Sequence, residues 1–98
     1  KKLYVSKDGT FYNSGNPASG SNGIDISGIL SSGDYAFFGH SCYGGSGSRT
    51  IEANFGQGFF GTTAVSSANA DANGLGAFEY AVPSGYYALC TKNIKEFG

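Results

Sequence analysis

The chain has 98 residues, which is enough for one small domain at most. Hydrophobic residues make up 40% and can supply a core, but 17 glycines and a charged fraction of only 13% indicate many turns and uncharged polar loops. The net charge is −1, and Arg49 is the only Lys or Arg between Asp8 and Thr91, which argues against nucleic acid or an anionic membrane surface as a partner. No apolar run is long enough to insert into a membrane.

The predicted secondary structure consists of short strands. The first two flank Lys7-Asp8-Gly9, a strong hairpin signal because Asp-Gly accepts the positive φ angles of a type I′ turn. Further along, Ile51, Ala53 and Phe55 alternate with polar residues, which predicts a strand with one buried and one solvent-facing side. In chain order, the predicted strands are Leu3–Val5, Thr10–Tyr12, Ile24–Ile26, Tyr35–His40, Thr50–Phe55, Phe78–Tyr80 and Tyr86–Cys90.

We predict no helix. An interior glycine costs a helix roughly 1 kcal/mol relative to alanine, and glycine interrupts nearly every window of this chain. The stretch from Thr62 to Asn73 lacks glycine but also lacks an apolar stripe with a 3.6-residue period. The sequence therefore predicts an all-β fold, an antiparallel β-sandwich.

Three loops separate the strands, at residues 13–23, 41–48 and 56–77. The third is the longest. Ordered loops of that length are uncommon unless they are functional or fold onto the domain. We weigh two interpretations equally, a binding loop and a surface excursion without a partner.

The end of the chain carries a family resemblance. Pro83-Ser84-Gly85-Tyr86-Tyr87-Ala88-Leu89-Cys90 looks like the closing strands of SPRY-like domains, the concanavalin-type β-sandwich modules found in structural and appendage proteins of tailed bacteriophages. The segment from Tyr4 to Pro17 is similar to the part of those modules that turns at Asp-Gly and continues through an aromatic residue and Asn-Ser-Gly-Asp-Pro, with Phe11 where Trp is common. The matching stretches span nearly the whole chain and correspond to the later half of a complete domain.

This resemblance implies that residues 1–98 form a single SPRY-like or jelly-roll-type module, a fragment of a larger chain whose sandwich is completed by another segment or subunit. The implied function is a non-enzymatic structural or recognition role in a phage virion protein, such as a tail fibre, appendage or particle-surface component. The implied partners are other virion segments or subunits, a homo-oligomer, or a host surface glycan or protein. The implied location is the virion, an extracellular particle. The alternatives are a free-standing carbohydrate-binding β-sandwich module and a fragment of an enzyme.

Residues suited to catalysis are sparse, and we expect no enzymatic activity. His40 and Cys42 would share one face of a strand, but no orienting third group or oxyanion hole can be assigned to them. Glu52 and Glu79 are the interior glutamates, and both are predicted to face solvent on strands. A pair of carboxylates for glycoside hydrolysis therefore cannot be placed.

The segment Asn69-Ala70-Asp71-Ala72-Asn73-Gly74 places oxygen-bearing side chains at alternate positions, as in the first part of a calcium loop. Asn69, Asp71 and Asn73 are the candidate ligands. Tyr80 occupies the twelfth position, where a bidentate Glu is expected. We favour the alternative, an Asx-rich turn whose side chains bond neighbouring backbone groups, and expect no cofactor unless this site takes calcium.

The candidate contact residues for a partner are Tyr43, Arg49, Phe59 and Phe60. Tyr43 lies in a loop, where a ring and a hydroxyl can reach a sugar or a protein. Phe59 and Phe60 form an apolar pair in a glycine-rich loop, which would be costly in water and indicates an interface. Cys42 and Cys90 either form a disulfide or are small buried hydrophobic residues, and for Cys90 we favour the second.

Overall fold

The computed structural model describes residues 1–41, 43–45 and 47–97. In this part of the chain, six two-residue strands form three antiparallel pairs, and one short helix follows them. The elements are β1 (Lys2–Leu3), β2 (Ser6–Lys7), β3 (Thr10–Phe11), a 3₁₀ turn (Tyr12–Ser14), β4 (Ile24–Asp25), β5 (Phe59–Phe60), β6 (Thr63–Ala64) and α1 (Thr91–Phe97).

The first hairpin turns at Asp8 and Gly9, where the sequence predicts a turn. β2 pairs with β3, with Lys7 opposite Thr10, and Asp8 and Gly9 have φ angles of 50° and 78°. Positive φ at both central residues is what a type I′ turn requires. Gly9 has a second constraint, since a Cβ there would lie 2.8 Å from Cδ1 of Tyr80. The predicted turn is confirmed, but the strand before it is Ser6–Lys7 and not the predicted Leu3–Val5, whose Leu3 pairs with β4. Glycine at position 9 also lets the turn approach the Tyr80 ring.

Two contacts hold the amino-terminal segment in place. β1 pairs with β4, with Leu3 opposite Ile24. The ring of Tyr4 lies edge-on to Phe11 and to Tyr86, with centroids 6.4 and 6.3 Å apart. The Tyr86 contact joins the start of the chain to its last third.

The predicted loop at residues 56–77 contains ordered structure. Phe59 and Phe60, expected in a glycine-rich loop, form β5, which pairs with β6. Asn69 and Phe78 then form an isolated antiparallel bridge. The strand predicted at Phe78–Tyr80 is thus reduced to that single bridge.

Three strand predictions are wrong. Tyr35–His40, Thr50–Phe55 and Tyr86–Cys90 form no strand among their residues in the structure. In the second segment Ile51 and Phe55, which were predicted to be buried, are exposed, and Asn54 alone among residues 50–55 is half-buried. The alternation is present in the sequence, but no neighbouring segment of the described chain pairs with these residues, and an unpaired strand is not stable.

The absence of helix was also predicted wrongly, because α1 covers Thr91–Phe97. The helix has seven residues, too few to show a periodic apolar stripe. Helices of this length are marginal in isolation and depend on contacts with the rest of the fold. Here the contact is made by Asn93, which is buried.

The described chain is β-rich and antiparallel, with little helix and a small buried interior. Its buried residues are Pro17, Gly58, Asp71, Ala88 and Asn93. The accessible surface is 7623 Å², about 2,300 Å² more than the roughly 5,300 Å² typical of a folded monomer of 10.1 kDa. The radius of gyration, 15.2 Å, also exceeds the value of about 12.6 Å typical of this length. Much apolar surface therefore remains open to solvent.

Candidate functional site

The buried carboxylate of Asp71 is the centre of a hydrogen-bonded cluster of polar groups. One oxygen, Oδ1, accepts the backbone N–H groups of Asn73 and Leu75, each at 2.9 Å. The other, Oδ2, accepts the N–H of Ala88 at 2.9 Å and the side-chain amide of Asn93 at 2.8 Å. We call Asp71, Asn73, Leu75, Ala88 and Asn93 the Asp71 cluster. Its four donors come from three separate parts of the chain.

Opposing effects act on the pKa of Asp71. Burial is the largest and raises it, because a buried carboxylate loses hydration. The hydrogen bonds from Ala88, Leu75, Asn93 and Asn73 favour the ionised form and together outweigh that penalty. The pKa of Asp71 is therefore below its ordinary value, and the carboxylate is an anion held by neutral donors.

Asn93 connects helix α1 to this cluster. Its amide nitrogen donates to Asp71 and, at 2.9 Å, to the carbonyl of Ala88. Its carbonyl oxygen accepts the side-chain amide of Asn73 at 3.0 Å. Only 4% of Asn93 and 7% of Asp71 are exposed. The side chain of Asn93 thus uses both ends to fix α1 against the turn at residues 71–75.

The turn at Asp71 has the geometry of the Asx alternative proposed from the sequence. The bond from the N–H of Asn73 to the Asp71 side chain closes an Asx turn, and Gly74 donates to the carbonyl of Asp71 at 2.9 Å. The three candidate calcium ligands do not share one centre. Asn69 donates its amide to the carbonyls of Phe78 and Glu79, each at 3.2 Å. A cation at Asp71 would have to displace N–H donors that already fill both oxygens.

An apolar cleft of about 500 Å³ opens beside the Asp71 cluster. Rings and aliphatic side chains from three parts of the chain form it, mainly Phe11, Phe60, Phe78, Val82, Pro83 and Ala88. Pockets of roughly 300–1,000 Å³ with mostly apolar walls are typical of binding sites. A second cleft of about 510 Å³ shares Phe11 and the segment 81–83 with the first. The segment 81–83 thus lies between two openings.

Glu79 is the one acidic residue in the wall of the apolar cleft. Its carboxylate accepts the hydroxyl of Ser66 and, at 2.7 Å, the backbone N–H of Ser66. The Ser66 hydroxyl and N–H lower the pKa of Glu79, and partial burial opposes them. Glu79 was predicted to face solvent on a strand, but it is half-buried and lies outside the strands. The cleft therefore carries a fixed negative charge.

A long exposed segment follows β4 in the chain. We call residues 35–41, 43–45 and 47–55 the aromatic arm. None of these residues makes a backbone–backbone hydrogen bond to another described residue. Tyr35 and Phe37 are 98% and 93% exposed, and Tyr43 is fully exposed. Such large aromatic side chains normally lie in a core or an interface.

The carboxyl-terminal end of the arm is bonded to the fold. Before the arm, Asp34 accepts the backbone N–H of Ser31 at 2.6 Å, a bond local to that turn. At its end, Asn54 donates to the carbonyl of Ala77 at 2.9 Å and accepts the N–H groups of Gly56 and Gly58. Asn54 also lines the apolar cleft, so the arm leaves the fold at the cleft's edge.

Two nested contacts show that the arm folds back on itself. Phe38 and Phe55 meet edge-on with ring centroids 5.7 Å apart. Nearer the tip, the guanidinium of Arg49 lies over Gly44, where an added Cβ would be 3.6 Å from Nη2. Tyr43 precedes Gly44 in the chain and is fully exposed, so the tip carries an exposed tyrosine one residue from the glycine that the guanidinium covers.

The four predicted contact residues fall into two groups. Tyr43 and Arg49 lie at the tip of the arm. Phe60 lines the apolar cleft, while the neighbouring Phe59 is half exposed on the same strand. Sequence reasoning missed Asn93 and the role of Glu79, since neither lies in a recognisable spacing motif.

The remaining candidates have less structural support. His40 is exposed on the arm, and Glu52 is exposed beside Gly61. Cys90 is half-buried just before α1. The two pairings of Cys42 considered from the sequence, with His40 and with Cys90, involve a residue outside the described part of the chain.

Comparison with models of protein families, with curated proteins and with solved structures finds no match to this chain. Among the residues that the structure describes, no helix is long and apolar enough to cross a membrane. In the same residues, no three His, Cys, Asp or Glu side chains come together as a group that could hold a metal ion.

Proposed function

We propose that this chain is a non-enzymatic docking module, a structural or recognition element of a virion protein in a tailed bacteriophage. The assignment to a virion rests on the SPRY-like resemblance of residues 4–17 and 83–90. The docking role rests on the exposed surface of the chain. In this proposal the partners are other virion segments or subunits, including further copies of the chain.

The observation that carries the proposal is the excess of accessible surface, about 2,300 Å² above that of a typical monomer of this mass. Stable protein interfaces bury about 800 Å² on each partner. The excess is therefore more than one standard interface requires. Contiguous exposed apolar surface is typical of sites where proteins meet.

We further propose that the three antiparallel pairs belong to a β-sandwich completed by another segment or subunit. The supporting observation is the pair of segments 35–40 and 50–55, which have strand-forming sequences but no backbone partners among the described residues. Unpaired strand edges readily accept a further strand. Completion would pair these backbone groups and cover the exposed rings.

The composition of the cleft favours binding over catalysis. Its wall combines aromatic and aliphatic side chains with one carboxylate, Glu79, which is already engaged by Ser66. A hydrolytic site would require a nucleophile or a second acid–base group within reach of that carboxylate. The exposed rings and the apolar cleft instead resemble the aromatic-rich centre of an interface.

Targeted mass spectrometry of purified particles tests the virion assignment. Phage particles from the producing culture would be banded on a density gradient and digested with trypsin. The proposal predicts that peptides of this chain, such as residues 50–92, appear in the particle band at a fixed ratio to the capsid protein. Their recovery only in the particle-free fraction would contradict a virion role.

A carbohydrate-binding module is the second candidate, favoured by the exposed rings of Tyr35 and Tyr43. Such rings can stack on sugars. A glycan array probed with the chain would show binding that is lost in Tyr43→Ala, while Ile29→Ala, an exposed change outside the arm, would retain it. An array without signal would leave the docking role as the better account.

A further inference from the structure

The tip of the aromatic arm has the chemistry of an interface anchor. Tyr43 is fully exposed, and the guanidinium of Arg49 lies over Gly44, the next residue in the chain. Tyrosine and arginine are among the residues that contribute most binding energy at protein interfaces. Neither residue lines the chain's own apolar cleft.

The apolar cleft complements this tip in shape and charge. Its volume of about 500 Å³ has apolar walls suited to a tyrosine ring. Glu79, the acidic residue in its wall, has a lowered pKa and is ionised at neutral pH. Arg49 is the only Lys or Arg between residues 8 and 91, so the middle of the chain has one basic group to offer that carboxylate.

We propose that the arm tip of one copy docks into the apolar cleft of a second copy, with Tyr43 in the cleft and Arg49 paired with Glu79. This inference rests on the proposed docking function and names its partner. Reciprocal exchange of two arms gives a two-fold symmetric dimer, the commonest closed assembly. The surface excess of about 2,300 Å² per chain exceeds the roughly 800 Å² per partner of a standard interface.

A charge-reversal pair tests the contact directly. Arg49→Glu places two acidic groups at each junction of a homodimer, and Glu79→Arg places two basic groups there. Each variant alone should dissociate with a Kd at least about tenfold higher than that of the unchanged chain. An equimolar mixture should form a heterodimer, because each arm then meets the opposite charge. Sedimentation velocity of the full 98-residue chain measures all four samples.

Two further variants keep the test valid if Glu79→Arg fails to fold. Tyr43→Ser changes a fully exposed side chain at the tip and should weaken the dimer by about 10- to 100-fold. Ile29→Ser, which is 78% exposed and outside the arm, should leave the dimer unchanged. Circular dichroism of each variant shows whether the fold is retained.

The outcomes separate this inference from the proposed function. A dimer that tolerates both Arg49→Glu and Tyr43→Ser would overturn the arm exchange and leave a docking module with another interface. A monomer that binds a dye for exposed apolar surface would overturn the exchange alone. A monomer at all concentrations that does not bind the dye would overturn both.

Discussion

The Asp71 cluster and the aromatic arm differ most in how their groups are satisfied. In the cluster, one carboxylate accepts four N–H donors, and Asp71, Ala88 and Asn93 are buried. In the arm, no described residue pairs its backbone and the largest rings face solvent. The hydrogen bonds of the cluster thus join segments of the chain's own fold, while the rings of the arm stay exposed, and we propose that those rings contact another copy.

The largest expected effect on the ordered region comes from Gly76→Ala. Gly76 has a φ of 87°, and an added Cβ would lie 2.4 Å from Cε2 of Phe78. Gly85, with a φ of 84° and nothing near its Cβ position, is the matched control. We expect Gly85→Ala to cost about 1–2 kcal/mol of backbone strain and Gly76→Ala about 1–3 kcal/mol more.

Urea unfolding of the two glycine variants provides the comparison. Equal losses would mean that Phe78 moves freely and that the wall of the cleft is not fixed by packing. A larger loss in Gly76→Ala would show that the cleft belongs to the ordered part of the chain.

The next largest loss of stability is expected from Asn93→Ala. Asn93→Ala removes the amide that joins Asp71, Ala88 and Asn73, leaving buried polar groups without partners. We expect a loss of about 1–3 kcal/mol in the free energy of unfolding. Lys92→Ala, an exposed change in the same helix, should cost at most about 0.5 kcal/mol. Indistinguishable variants would show that α1 does not depend on the cluster.

Local turns were predictable from the sequence, whereas contacts between distant segments were not. The hairpin at Asp8-Gly9 was predicted because its turn chemistry is local. The cluster was not, since Asp71 and Asn93 lie far apart in the chain and only the fold brings them together. The strand at 50–55 was predicted from an alternation that is present in the sequence but finds no pairing partner among the described residues. The segment 35–40 likewise pairs with none of them. Tyr43 and Arg49 were selected individually, but their position at one tip depends on the fold-back.

A smaller effect is expected from pH, because burial of Asp71 offsets part of the gain from its four donors. The pKa values of Asp71 and Glu79 are both lowered in the fold. The stability that they contribute is complete above the ordinary carboxyl pKa of roughly 4 and is lost as pH falls through the lower folded value. Unfolding midpoints measured from pH 7 to pH 2 should therefore fall at the acid end.

Glu79→Gln separates the two carboxylates in that titration. The variant should lose part of the acid dependence. Asp71 and Asp25, whose pKa the backbone N–H and hydroxyl of Ser27 also lower, should account for the rest. Stability that rises on acidification would contradict the lowered pKa values.

The smallest change in stability is expected from Tyr4→Phe. Its hydroxyl is buried and has no hydrogen-bond partner among the described residues. Tyr4→Phe should be neutral or stabilise the chain by up to about 1 kcal/mol, because an unsatisfied polar group is removed. Thermal unfolding measures this, with Tyr86→Phe as the control at the other ring of the pair. A clear loss in Tyr4→Phe would mean that the hydroxyl has a partner.

Residue-resolved amide hydrogen exchange on the dilute, monomeric chain compares the two regions most directly. The account predicts slow exchange for the amides of Asn73, Leu75 and Ala88. It predicts exchange at the rate of an unfolded chain in the aromatic arm except at Phe55, whose N–H donates to the side chain of Gln57. Protection of the arm in the monomer would contradict it, since the exposed rings would then already be covered within one copy. Rapid exchange at Ala88 would equally contradict the cluster as the centre of the fold.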